Sequence, residues 1–323
     1  MNNFKKIGLS ALAGSLVAFS AHAGELSATG SASLTMADAD VKGTTISGNQ
    51  FTMGDSITLT GSGEMDNGMT ISVSFEIDND DTGGGEVYDS HSMTLDTNGM
   101  GTITFAGHGG SSAMSALDDT TPNAYEESWD AVAGAATGTL VAGNSGNNMF
   151  TYTSPSFSGA TVTMAYLNAD TNGGQTVNAV SYADFAIAYS PEMVEGLTVG
   201  YGQGDVEVVA GTEIEHTAMY AKYTYGSVTV GYQNNEADAA AAASDVEFEA
   251  FGISYAVNDS LSVAYNSSES VVGTTGTQEA SGISASYTAG GMTIAGVMND
   301  VDNVAGAAAN DTKGYELNLS FAF

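Results

Sequence analysis

Apolar and polar side chains alternate along segment after segment of this chain. In Gly314–Phe323, Tyr315, Leu317, Leu319, Phe321 and Phe323 fall on one side, with Glu316, Asn318, Ser320 and Ala322 on the other. Thr70–Ile77 repeats the pattern: Ile71, Val73, Phe75 and Ile77 oppose Thr70, Ser72, Ser74 and Glu76. Successive side chains of a β-strand point to opposite faces, so a period of two describes a strand with one greasy and one wet face. Sixteen such strands are predicted, near residues 25–36, 51–64, 69–78, 88–96, 101–107, 149–155, 160–168, 181–190, 196–204, 215–225, 227–235, 246–256, 260–267, 280–288, 292–299 and 314–323. Most have roughly the 9–11 residues that a tilted strand needs to cross a bilayer. Strands of soluble domains are nearer about 5–6.

Alternation by itself also fits a soluble sandwich, and the connections separate the two. Short ones are Asp66-Asn67-Gly68, 96–101, Phe157-Ser158-Gly159, 191–196, Tyr225-Gly226, Asn258-Asp259-Ser260 and Gly290-Gly291. Asn-Gly and Gly-Gly supply the positive φ of tight turns. Long ones fall between them, centred near residues 43, 83, 128, 174, 210, 240, 273 and 306. Outer-membrane barrels have short periplasmic turns and longer external loops; a sandwich has no reason for this rhythm. Tyr166, Tyr189, Tyr201, Tyr223, Tyr225, Tyr255 and Tyr287 lie near strand ends, as the aromatic girdles of such barrels do. The predicted fold is all-β, a 16-stranded antiparallel transmembrane β-barrel.

The first 23 residues read as a signal peptide, leaving the barrel to residues 24–323. Lys5 and Lys6 form its positive start, Ile7–Ser20 its apolar stretch, and Ala21-His22-Ala23 its cleavage site. No other segment offers the roughly 18 consecutive apolar residues of a membrane helix. There is no cysteine, and a closed ladder of hydrogen bonds needs no disulfide.

Asp and Glu number 38 against five basic residues, all Lys, for a net charge of −33. Nucleic-acid binding requires a basic patch, so it is excluded. Charged residues are 13% and hydrophobic ones 42% of the chain, so it is short of bases rather than disordered. Within Ala116–Asp130 stand five acids, Asp118, Asp119, Glu126, Glu127 and Asp130, and the single tryptophan, Trp129. Asp78, Asp80, Asp81, Asp300 and Asp302 could offer oxygens to Ca²⁺. Their spacing is not that of an EF-hand, and solvated loop tips are the simpler reading. His91, His108 and His216 have no metal-ligand spacing. No nucleophile elbow, P-loop, dinucleotide fingerprint or His–Ser pairing is present, so neither catalysis nor a required cofactor is expected. Lys222, out of phase with Met219, Ala221 and Tyr223, should face the lumen.

On its leader, its sixteen-strand rhythm, its aromatic last strand ending in Phe323 and its acidic third loop, the chain resembles the general diffusion porins of Gram-negative outer membranes. The resemblance covers the whole length after the leader. It implies that the third loop, about Gly107–Asn148, folds into the pore and narrows it. It also implies that Phe323 is read by the barrel-assembly machinery, that the barrel sits in outer-membrane lipid as a homotrimer, and that small hydrophilic or cationic solutes diffuse through it. One departure is large: such porins set arginines on the wall facing the loop, and this chain has no arginine. Glu64, Glu76 and Asp78 stand on that wall instead. Low-dielectric walls focus the field of clustered carboxylates, so Asp118, Asp119, Glu126, Glu127 and Asp130 should favour cations. The alternatives are a substrate-specific channel and a non-transport, acidic calcium-binding surface protein.

Overall fold

The computed structural model describes residues 26–41, 50–78, 89–117, 119–129, 145–168, 180–208, 212–239, 245–307 and 310–323. The expected signal peptide and Asp80, Asp81, Asp118 and Asp130 lie outside them. Sixteen strands close into one barrel. They are β1 (Leu26–Val41), β2 (Gln50–Glu64), β3 (Thr70–Asp78), β4 (Ser90–Asp96), β5 (Thr102–His108), β6 (Met149–Thr153), β7 (Ala160–Leu167) and β8 (Val180–Tyr189). There follow β9 (Leu197–Val208), β10 (Thr212–Tyr225), β11 (Val228–Ala239), β12 (Val246–Asn258), β13 (Leu261–Val272), β14 (Gln278–Ala289), β15 (Met292–Asp302) and β16 (Thr312–Ala322). Each strand pairs antiparallel with its chain neighbours, and β16 closes on β1 from Ser31↔Ala322 to Val41↔Thr312. Every predicted strand is present. The short turns lie at one end: Gly290 and Gly291, at φ 61° and 81°, join Ala289 to Met292 in a two-residue hairpin that a side chain would strain.

Strand ends differ from expectation for identifiable reasons. β9, β13 and β15 continue to Val208, Val272 and Asp302, several residues beyond the alternation. Near those ends stand Asp205, Glu269 and Asp302, where both faces become more polar. The period of two fades there while backbone pairing persists. β6 stops at Thr153, ahead of Pro155, which cannot donate to a ladder.

On β12 the outward row runs Glu247, Glu249, Phe251, Ile253, Tyr255 and Val257 toward the turn, all exposed. Acids at the loop end, then aromatic, aliphatic and aromatic residues, follow the order of a bilayer's polar surface, interface and core. Alternate residues of the same strand, Val246, Phe248 and Ala250, are buried inside the barrel. Among the described residues no helix is long and apolar enough to cross a membrane; here the strands would do so.

Candidate constriction site

The third loop leaves β5 through a small neck, in which Gly110 and Ser111 pair with Gly146 and Ser145. Its described parts, 109–117 and 119–129, lie against the inner wall from β8 round to β16. A short 3₁₀ turn, Met114–Ala116, comes first. Its amides are held by one buried carboxylate on β8: Asp184 accepts from Ala113 N (3.2 Å) and Met114 N (2.8 Å). The same group accepts from Ala165 N (3.1 Å) and from the Tyr182 hydroxyl (2.9 Å). Gln233 of β11, wholly buried, accepts from Thr120 N (3.0 Å), Thr121 N (2.9 Å) and Thr121 Oγ1 (2.6 Å).

Next the loop crosses a smooth strip of wall. Gly231 and Gly252 are directly opposed on β11 and β12. A Cβ on Gly231 would come within 2.5 Å of Pro122 Cδ, and one on Gly252 within 2.5 Å of Thr121 Cγ2. Only glycines let the loop lie so close. Farther on, Ala124 N donates to Ser284 Oγ on β14 (3.1 Å), and the Tyr125 hydroxyl to Glu316 on β16 (2.5 Å). Ser128 N donates to Asn266 Oδ1 (2.8 Å), while Asn299 Nδ2 donates to Ser128 O (2.9 Å). Trp129 packs edge-on against Phe248, with ring centroids 5.3 Å apart, in a cluster with Ala250, Ala280, Val297 and Val301.

The described acids of this loop sit in different environments. Asp119 is exposed and Glu126 half-buried, but Glu127 is only 3% exposed. Burial, then the Asp119 carboxylate and a hydrogen bond with it, pushes the Glu127 carboxyl up to about 9. At neutral pH Glu127 is therefore held in its protonated form. This qualifies the expectation that every loop acid adds a charge. On the opposite wall, Glu64, Glu76 and Asp78 share the inward register, with Glu76 opposite Thr58 and bonded to Ser90 Oγ (3.2 Å). Lys222 shares the inward register of Gly231.

Of the suggested calcium acids, Asp78, Asp300 and Asp302 lie among the described residues, and Asp80 and Asp81 lie outside them. Asp78 lies at the end of β3, whereas Asp300 pairs with Lys313 and Asp302 stands opposite Glu279. Among the described residues no three His, Cys, Asp or Glu side chains gather as a metal site would require. Phe323 follows β16 and exchanges two backbone hydrogen bonds with Gly30 of β1 (2.7 and 2.9 Å).

Comparisons with known proteins agree with this architecture. The family model described as Gram-negative porin matches residues 8–276. Among curated proteins, none matches the sequence. Solved structures with a similar fold include an anion-selective porin from Comamonas acidovorans, 15% identical with a TM-score of 0.67, covering 93% of this chain and 99% of that one. A triple mutant of the Rhodopseudomonas blastica porin is 18% identical, TM-score 0.67, over 93% and 100% of the two chains. A loop-deletion mutant of OmpT, an outer membrane protein of Vibrio cholerae, is 14% identical, TM-score 0.69, over 93% and 99%.

Proposed function

The chain belongs to the Gram-negative porin family, and from that premise we propose that its barrel passes small hydrophilic solutes by passive diffusion and prefers cations. Family and fold support an outer-membrane porin channel. They leave the sign of selectivity open, since one structure of the same fold is described as anion-selective. Side chains set that sign. The observation that carries the reading is the imbalance at the constriction: Asp119 and Glu126 lie on the loop, Glu76 and Asp78 on the facing wall, and the whole chain has no arginine. A carboxylate about 4 Å from a monovalent cation attracts it by roughly 1 kcal/mol in bulk-like water, and more where water is partly excluded. At physiological salt, screening acts over about 8 Å, too far to cancel the field in a narrow eyelet.

The same proposal includes export by the signal peptide 1–23, assembly as a homotrimer in outer-membrane lipid, and reading of Phe323 by the assembly machinery. Diffusion needs no cofactor. Calcium at Asp78, Asp80, Asp81, Asp300 or Asp302 is a separate proposal, for which a chelator-induced loss of thermal stability is the test. Proteoliposome swelling tests the transport reading itself. Rates should rise linearly with the concentration of small hydrophilic solutes and fall with solute size. Saturation would instead favour the substrate-specific channel, and no swelling at all the non-transport surface protein.

A further inference from the structure

On the outer face of β12–β16, a row of carboxylates stands directly above an apolar hollow. Glu249, Glu269, Glu279 and Asp302 lie on four neighbouring strands, each directly opposite the next. All four are exposed, toward the loop end of the barrel. Like charges directly opposite one another on a sheet repel, and among the described residues no base stands in this row. Lys313, one row nearer the turns, pairs with Asp300.

Below the acids the wall is indented. Ser267 and Ser281, both small, are directly opposed on β13 and β14. Two rows nearer the turns, Ala285 and Gly296 are directly opposed on β14 and β15. Larger side chains around them leave two hollows. The upper one, of about 400 Å³, is edged by the acids and by Tyr232, Phe251 and Tyr265. The lower one, of about 540 Å³, lies among Ile253, Tyr255, Tyr265, Ile283 and Met298. The Tyr232 hydroxyl donates to Glu249 Oε1 (3.0 Å), which holds that acid at the upper edge.

Resting on the membrane-spanning reading of this barrel, but not on transport through it, we infer that this face holds one lipid whose headgroup carries an ammonium group. The acid row calls for a cation, and the hollow beneath it for a hydrocarbon chain. An amine-bearing lipid brings both. Carboxylates and aromatic faces both attract an ammonium, and the upper hollow offers both. Calcium would need six to eight oxygens around it, and among the described residues no three acids gather to begin such a shell. For the chain, the surrounding hydrocarbon is as apolar as the wall, so retention rests on contacts. A chain lying over Ala285 and Gly296 fills a gap that would otherwise forfeit them.

The test is native mass spectrometry of the intact protein in non-ionic detergent, titrated with phosphatidylethanolamine and with phosphatidylglycerol of the same acyl chains. We expect one lipid retained per chain, phosphatidylethanolamine at several-fold lower concentration. Glu269→Gln combined with Glu279→Gln should erase that preference. Ala285→Phe, an outward and exposed position that fills the lower hollow, should reduce retention of both lipids. Both variants should match the unaltered protein in proteoliposome swelling, which shows that they have assembled. Equal retention of the two lipids by the unaltered protein would overturn the ammonium assignment. So would phosphatidylglycerol held only with Ca²⁺ and released by a chelator. Unchanged retention in Ala285→Phe would overturn the placement, and loss of oligomer in that variant would assign the face to a second copy of the chain instead. Selective retention by a protein that causes no swelling would sink the transport reading and leave this one standing.

Discussion

A chain ending at Ala322 is expected to lose most of its assembled, heat-resistant barrel. Phe323 lies beyond the last ladder pair, yet it exchanges two backbone hydrogen bonds with Gly30 at the seam between β16 and β1. Those bonds contribute about 1 kcal/mol each, a small share of a seam that pairs residues from Ser31 to Val41. The ring is 76% exposed on the finished barrel, so it contributes little packing. A large assembly defect would therefore reflect recognition of the terminal ring during insertion rather than lost stability. Phe323→Ala separates the two, because it keeps the backbone bonds and removes only the ring. It should fail nearly as badly as the deletion, and Phe323→Tyr should recover. Normal oligomer from Phe323→Ala, read by heat-modifiable gel migration, would contradict the role given to the ring.

Asp184→Ala should unseat the start of the third loop. Removing this carboxylate strips the acceptor from the amides of Ala113, Met114 and Ala165 and from the Tyr182 hydroxyl. Each buried donor left unpaired costs about 1–3 kcal/mol, far more than the sheet loses elsewhere. Single-channel conductance should rise and become noisy while the barrel still forms. Unchanged conductance would mean that Gln233 and Asn266 hold the loop without it. The other end of the loop supplies a pH-dependent counterpart. The Glu127 carboxyl sits above its free value, so its contribution to seating is complete below about 4.5 and lost as pH rises through about 9. Channel noise should therefore grow on the alkaline side, and Glu127→Gln should abolish that growth.

The barrel was legible because its outer face must be apolar from one interface to the other, which imposes a period of two on β3, β12 and β16 alike. Loop lengths then gave the two ends of the barrel. The loop itself was legible as acidic and long, but not as seated. Asp184, Gln233 and Asn266 each look like an ordinary polar residue on a lumen face. Their partners are 70, 112 and 138 residues away in the chain, a distance no local pattern spans. One signal was available: Gly231 and Gly252 each interrupt a strand interior, where glycine usually marks a close approach of other backbone. The burial of Glu127 was hidden for a different reason. Five acids in one stretch look equivalent until packing of Ser128 and Trp129 draws Glu127 inside with them.

Selectivity carries the central claim, and a zero-current potential across a KCl gradient measures it most directly. The purified protein in a planar bilayer should give stepwise conductance and a potential of the sign produced by K⁺ crossing faster than Cl⁻. The potential should shrink at molar salt, where the Debye length is about 3 Å. Replacing Asp118, Asp119, Glu126 and Glu127 by their amides should move it clearly toward the nonselective value. A potential of the opposite sign, as expected of an anion-selective pore, would contradict the account.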